Sequence, residues 1–178
     1  MQREGASLNF ASPESVRRGV AAARTRGDVV VASFHWGVEY AARPRESQVR
    51  LAQAAVEAGA DLVLGHHPHV LQGLQLSTLK SESGERRALV VYSLGNFVFD
   101  SPGMLGGRPL ESFILRCTLS KKGLETVEIL PVSIESYRPR LAEDLRAKTI
   151  MARLSLLSAE LNTELREGFI NLAWSGNN

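Results

Sequence analysis

The sequence predicts an α/β fold: a mixed sheet carrying helices, then an antiparallel hairpin, then one long C-terminal helix. Three observations carry this expectation. Two short apolar runs without polar alternation, at 28–34 and 61–64, each follow a stretch of helical periodicity. Beyond residue 70 the pattern changes to β-forming runs separated by polar turns. From residue 142 apolar positions return at helical spacing, with charges between them.

The first helix starts near Ser12, which can cap it, with Pro13 suited to the first turn and Glu14 favoured at the positive end of the helix dipole. Val16, Val20 and Ala23 form its apolar stripe, and Gly27 is a stop signal. The run 28–34, with three consecutive valines and no polar alternation, reads as a strand buried on both faces. It delivers the segment His35-Trp36-Gly37-Val38-Glu39-Tyr40, closed by Pro44. A second helix spans about 46–58, and the second strand then leads into Gly65-His66-His67-Pro68-His69-Val70. Helix, strand, helix, strand is a right-handed crossover unit of a largely parallel sheet.

Further along, 74–79 and 88–93 read as strands around a polar turn at 80–87. The Gly- and Pro-rich stretch 101–109 reads as a mobile surface loop. The runs 111–119 and 124–134, joined by Ser120-Lys121-Lys122-Gly123, read as a hairpin. Pro139 breaks the pattern. Leu145, Ile150, Leu154, Leu157 and Leu161 then mark one long helix over 142–165, and 175–178 reads as a frayed end.

Composition removes several function classes. Lys and Arg total 21 against 19 Asp and Glu, so the net charge of +2 is too small to argue for nucleic acid. No basic stretch carries the interleaved aromatics of a nucleic-acid surface. The single cysteine, Cys117, excludes an internal disulfide and reads as a buried small hydrophobe, which leaves the redox compartment open. No run approaches the roughly 18 apolar residues of a membrane helix, and the first residues lack the apolar segment of a signal peptide.

The chemistry concentrates in histidine. Of four histidines in the chain, three fall at 66–69. In parallel sheets ligands gather at the carboxyl ends of strands, and both histidine groups follow such ends. Neutral imidazole is the commonest protein ligand for zinc, iron and manganese. His67 and His69, one residue apart with Pro68 stiffening the turn, form the strongest pair, and His35 reaches the same rim from the neighbouring strand. His66 is the odd one out, because three near-consecutive side chains rarely share one ion. Glu39 is a candidate ligand or general base, or an exposed loop glutamate. Trp36 and Tyr40 either line a pocket or pack. Asn96 after Gly95 suits a turn, and it can also hydrogen-bond a substrate oxyanion or a metal ligand. Asp100 is similarly open. Neither a P-loop, a dinucleotide fingerprint nor a G-x-S-x-G nucleophile is present.

These motifs, in this order, carry a family resemblance. The runs Ser33-Phe34-His35-Trp36-Gly37-Val38-Glu39-Tyr40, 58–72 and Val91-Tyr92-Ser93-Leu94-Gly95-Asn96-Phe97-Val98-Phe99-Asp100 resemble the bacterial CapA, or poly-γ-glutamate capsule synthesis, family. That family belongs to the calcineurin-like metallophosphoesterase superfamily. The resemblance implies a four-layer αββα sandwich and a centre of two divalent metal ions (Zn, Mn or Fe) at the sheet edge. It makes His35, His67 and His69 the expected metal ligands, Glu39 and His66 the candidates for a catalytic role, and Asn96 and Trp36 the candidates for substrate contact.

The superfamily's early motifs, an Asp, a bridging acid and an Asn-His pair, find no counterpart in the 34 residues before His35. The chain therefore resembles the C-terminal half of such a fold, with a domain over 1–136 that is incomplete at its N-terminus and a helical extension over 137–178. A bridging carboxylate holds two ions about 3.5–4 Å apart, so this chain is expected to hold one metal or none by itself. The implied function is in synthesis or export of a capsule polymer, with the polymer or a phosphoester as substrate. A non-catalytic scaffold or partner-binding fragment, and a small phosphoester hydrolase, are the alternatives. The exposed faces of half a sandwich imply self-association or a complementing N-terminal half. The family resemblance places the protein at the cell surface or outside the cell.

Overall fold

The computed structural model describes residues 10–81, 84–99, 110–121 and 123–170. Asp100, the 101–109 loop and the 175–178 tail named above lie outside the described residues.

Helix α1 (Pro13–Arg24) begins as its sequence dictates. Ser12 is extended, its hydroxyl accepts from the Ser15 N–H at 3.2 Å, and the Ser15 hydroxyl accepts from the Ser12 N–H at 2.9 Å. This reciprocal box satisfies two otherwise orphaned donors. Strand β1 (Val31–His35), helix α2 (Glu46–Glu57) and strand β2 (Leu62–His66) form the expected crossover, and the two strands pair in parallel from Val31↔Leu62 to His35↔His66. The expectation that β1 is buried on both faces is corrected. Its residues alternate exposed and half-buried, and Val31 is 50% exposed. β1 stands at one end of the strand order β1-β2-β4-β6-β9-β8, so among the described residues only β2 pairs with it.

β2 pairs in parallel with β4 (Gly84–Val91), and β3 (Leu74–Ser81) pairs antiparallel with β4. The polar turn expected over 80–87 is shorter than the sequence suggested, because the ladder continues to Ser81↔Gly84. Lys80 stands directly opposite Glu85 there, an opposite-charge pair that suits an exposed sheet end. The hairpin β5 (Glu111–Ser120) and β6 (Gly123–Glu135) follows, with a register shift at Thr118/Leu119. Pro139 does not end the sheet. It lies in β7 (Arg138–Leu141), which among the described residues pairs with β6 alone, and an edge position spares the missing N–H.

The long C-terminal helix is α3 (Asp144–Ala159), which stops short of the expected residue 165. Asn162 takes a left-handed φ of 56°, and the Thr163 N–H turns back to the Ser158 carbonyl at 3.0 Å. Glu167 and Gly168, with φ of 48° and 86°, then close a hairpin of β8 (Leu165–Arg166) and β9 (Phe169–Ile170), and β9 pairs with β6. Two positive-φ residues at a hairpin turn match strand twist. β7, β8 and β9 thus join the sheet, and α3 between them packs against it.

Two cores flank this sheet. On one face Val16, Val20, Ala52, Ala55 and Val56 of α1 and α2 pack with Val63, Val90 and Tyr92. On the other Ile150 and Leu154 of α3 pack with Leu62, Leu74, Leu89, Val91 and Phe113. Asp61, fully buried before β2, ties the first layer together. Its carboxylate accepts from the Val30 N–H at 2.8 Å and from Arg24 at 2.6 Å, and it also pairs with Arg86. Cys117, expected to be buried, is half-buried against the second core. No helix of the described residues is long and apolar enough to cross a membrane.

Candidate metal centre

β1 and β2 end side by side, so His35 and His66 are register partners and both histidine-bearing loops leave from one sheet edge. The closeness of the strands has a sequence cause. A Cβ on Gly65 would lie 2.0 Å from the Tyr92 carbonyl oxygen and 2.5 Å from Trp36 Nε1, so only glycine fits. Trp36 is 7% exposed, stacks on Phe34, and donates its indole N–H to the Tyr92 carbonyl at 2.9 Å. It therefore anchors the loop from within the first core.

Beyond Trp36 the two loops are fastened together. The Trp36 N–H donates to the His66 carbonyl at 3.1 Å, and the Tyr40 N–H donates to the Pro68 carbonyl at 2.7 Å. Behind them two buried glutamines form a relay. Gln72 Nε2 donates to the Ala41 carbonyl at 2.8 Å, Gln48 Nε2 donates to Gln72 Oε1 at 3.1 Å, and Gln48 Oε1 accepts from the Arg45 N–H at 2.9 Å. The loops are bent sharply as well as fastened. Tyr40, His67 and His69 all have positive φ, at 62°, 99° and 60°. Such conformations are costly for residues with a Cβ and cluster at functional sites.

The result is a convergent set. Glu39, His67 and His69 each offer a ligand atom, and these atoms lie within 4.8 Å of one another. Two imidazole nitrogens and one carboxylate oxygen form a donor set suited to zinc, iron or manganese, and three protein ligands leave a position open. His35, the expected third member, lies outside this group. Its ring sits against that of His67, with centroids 4.7 Å apart. The sequence left Glu39 open because convergence depends on the Tyr40–Pro68 contact, which spacing does not reveal. The positive-φ Gly37 in the same loop was the one available sign of a tight return. His66 is exposed at the end of β2.

Asn96 is 7% exposed and faces His69. Its Oδ1 lies 2.7 Å from His69 Nδ1, and its Nδ2 donates to the His69 carbonyl at 3.1 Å. Tyr40 and Phe99 flank the same imidazole, with ring centroids 6.1 and 5.7 Å away.

Comparison with known proteins bears on the family of the chain. Residues 2–101, more than half the chain and the whole of the histidine-bearing region, match the family model described as bacterial capsule synthesis protein PGA_cap. The PGA biosynthesis protein CapA of Bacillus subtilis is 35% identical over 147 residues, which is 82% of this chain and 36% of that protein. The capsule biosynthesis protein CapA of Bacillus anthracis is 37% identical over 113 residues, 64% of this chain and 25% of that protein. A probable polyglutamine synthesis accessory protein of Mycobacterium tuberculosis is 25% identical over 130 residues, 70% of this chain and 32% of that protein. The chain thus spans about a quarter to a third of the length of the curated relatives it matches.

Proposed function

Because the chain belongs to the bacterial capsule synthesis family PGA_cap, we propose that it serves capsule polymer synthesis or export, with poly-γ-glutamate as the polymer and a surface location following from that role. The observation that carries a chemical role is the convergence of Glu39, His67 and His69 at the sheet edge. These residues would hold one divalent ion, with His35 beside His67 at its margin. Such an ion supplies Lewis-acid polarisation of a phosphoryl or carbonyl oxygen. The chain's own residues hold the ligands in place. Tyr40 and Pro68 lock the Glu39 loop to the histidine loop, and the glutamine relay fixes both to α2.

A phosphoester hydrolase of this type uses two ions and a bridging carboxylate, and Glu39 is the sole carboxylate in the described cluster. The reading is therefore one metal bound by this chain and phosphoester turnover that needs further family residues. The test is zinc, manganese and iron titration of chelator-stripped protein by calorimetry. One equivalent should bind in the wild type and in His66→Ala, with weaker binding in Glu39→Gln and His67→Ala. Robust p-nitrophenyl phosphate turnover by the chain alone, lost in His67→Ala, would sink the one-metal reading.

A second reading, partner binding, draws on a different observation. Among the described residues the outer edge of β1 is unpaired, and it adjoins a groove of about 740 Å3 between α1 and β1, lined by Phe10, Val16, Val20, Val31 and Phe34 among others. An open strand edge beside an apolar groove is a template for another strand, supplied by the rest of the larger family fold or by a second copy. Sedimentation should show self-association that Val31→Lys relieves. A monodisperse wild-type monomer with a cooperative melt would count against it.

A further inference from the structure

We infer that Asn96 is a positioning residue that fixes His69 in the Nδ1–H tautomer and so presents Nε2 as its metal-binding atom. The metal half of this inference rests on the reading proposed above; the tautomer half does not. The argument begins with the amide. A primary amide has one donor end and one acceptor end, and their assignment follows from the partners. The His69 carbonyl is an acceptor only, so the group 3.1 Å from it is the Asn96 NH2. The other end, 2.7 Å from His69 Nδ1, is then the Asn96 carbonyl oxygen, also an acceptor. A 2.7 Å contact between an imidazole nitrogen and an acceptor requires the proton on that nitrogen. With Nδ1 protonated and the ring neutral, the lone pair lies on Nε2. The hydrogen bond made by one ring nitrogen decides which nitrogen binds metal.

The surroundings hold Asn96 to this task. Gly95 has φ of 74°, and a Cβ there would lie 2.5 Å from the Glu111 carbonyl oxygen, so the preceding residue must be glycine for the segment to sit so close to β5. Ser93 donates its hydroxyl to the Val70 carbonyl at 2.7 Å, and the Leu94 N–H donates to the Gly65 carbonyl at 3.3 Å. Ser112 donates its hydroxyl to the Leu94 carbonyl at 2.7 Å. The strand-end segment that carries Asn96 is thereby stapled on both sides, to the histidine loop and to the hairpin. A turn asparagine with only a backbone role needs neither the burial nor the two contacts with one histidine.

The experiment is long-range 1H–15N correlation of the metal-free, 15N-labelled 178-residue chain at alkaline pH, which reads each histidine's tautomer directly. Zinc affinity is measured in parallel, and far-UV dichroism checks folding. Wild type should show His69 as Nδ1–H. Asn96→Leu should shift it towards the Nε2–H form that free imidazole side chains favour, and should weaken zinc binding about 10–100-fold. Asn96→Asp, whose carboxylate still accepts from Nδ1, should keep the wild-type tautomer while losing the bond to the His69 carbonyl. His69 found as Nε2–H in wild type would overturn the inference, as would a folded Asn96→Leu with unchanged tautomer. If wild type shows the Nδ1–H tautomer, and Asn96→Leu shifts it, yet no zinc binds, the tautomer assignment stands and the metal reading falls.

Discussion

The Tyr40 N–H meets the Pro68 carbonyl at 2.7 Å, and this one bond closes the Glu39 loop onto the histidine loop. It acts on the backbone, because Tyr40 follows Glu39 and Pro68 lies between His67 and His69. Its geometry depends on Tyr40 holding a positive φ, which in turn needs the chain beyond it to be fixed. Gln72 supplies that fixing by holding Ala41, and Gln48 holds Gln72.

Gln72→Leu should therefore affect both stability and metal binding. The leucine fills similar space but leaves the buried Gln48 amide and the half-buried Ala41 carbonyl without their Gln72 partner. Each orphaned polar group costs about 1–3 kcal/mol, so the urea midpoint should fall by a clear margin. Zinc affinity should fall with it, because the Glu39 loop loses its rear anchor. Unchanged affinity in the folded variant would show that Tyr40–Pro68 suffices alone.

Backbone strain gives a prediction of opposite sign. His67 holds φ of 99°, a region open to glycine and costly by about 1–3 kcal/mol for residues with a Cβ. His67→Gly relieves that cost against roughly 0.5–1 kcal/mol of added chain entropy. Its thermal midpoint should equal or exceed wild type, while metal binding weakens as in His67→Ala. His67→Ala keeps the strain and should gain nothing. A His67→Gly protein clearly less stable than His67→Ala would show that the strain assigned to this position is absent.

How much of this was legible in the sequence follows the range of the forces involved. The Ser12 cap, the β1–α2–β2 crossover and the β5–β6 hairpin rest on local patterns, and all are found. His67 and His69 share a site because Pro68 ties them within three residues. What depends on contacts distant in sequence was less visible. Glu39 joins the cluster through Pro68, and Asn96 selects His69 across 27 residues. β1 reads as buried from its Val-rich composition, yet its position in the strand order leaves it at an edge. The helix reads as running to 165 because Leu165 keeps helical spacing with Leu161, although Asn162 between them turns the chain.

Asp61 lies outside the site and should matter for folding alone. It joins α1, β1, β2 and β4 through Arg24, the Val30 N–H and Arg86. Asp61→Ala takes the carboxylate from Arg24 and Arg86 and the acceptor from a buried N–H, while Arg24 keeps the Gly59 and Asp28 carbonyls. Breaking a buried pair costs about 3–5 kcal/mol, and the partial exposure of both arginines, at 24% and 27%, places the expected loss near the lower bound. Asp61→Asn keeps acceptors and should lose less. Urea unfolding of the two variants checks the order, and equal losses would remove the charge from the explanation.

Arg43 and Glu160 tie the far end of the Glu39 loop to the end of α3 through two parallel bonds of 2.6 Å. The hydrogen bond from Arg43, reinforced by its charge, holds the Glu160 carboxyl below the ordinary carboxylate range. A carboxyl whose folded value is depressed contributes stability above its unfolded value, and that contribution fades as pH falls through the folded value. Both side chains are exposed, so the effect is small and screened by salt. Arg43→Ala should thus lower the urea midpoint slightly near neutral pH and low ionic strength, and should match wild type in acid, where Glu160 is protonated in both proteins. The same variant should also match wild type in high salt. A deficit that persists in acid and in salt would mean that Arg43 acts through packing of its aliphatic stem and not through the ion pair.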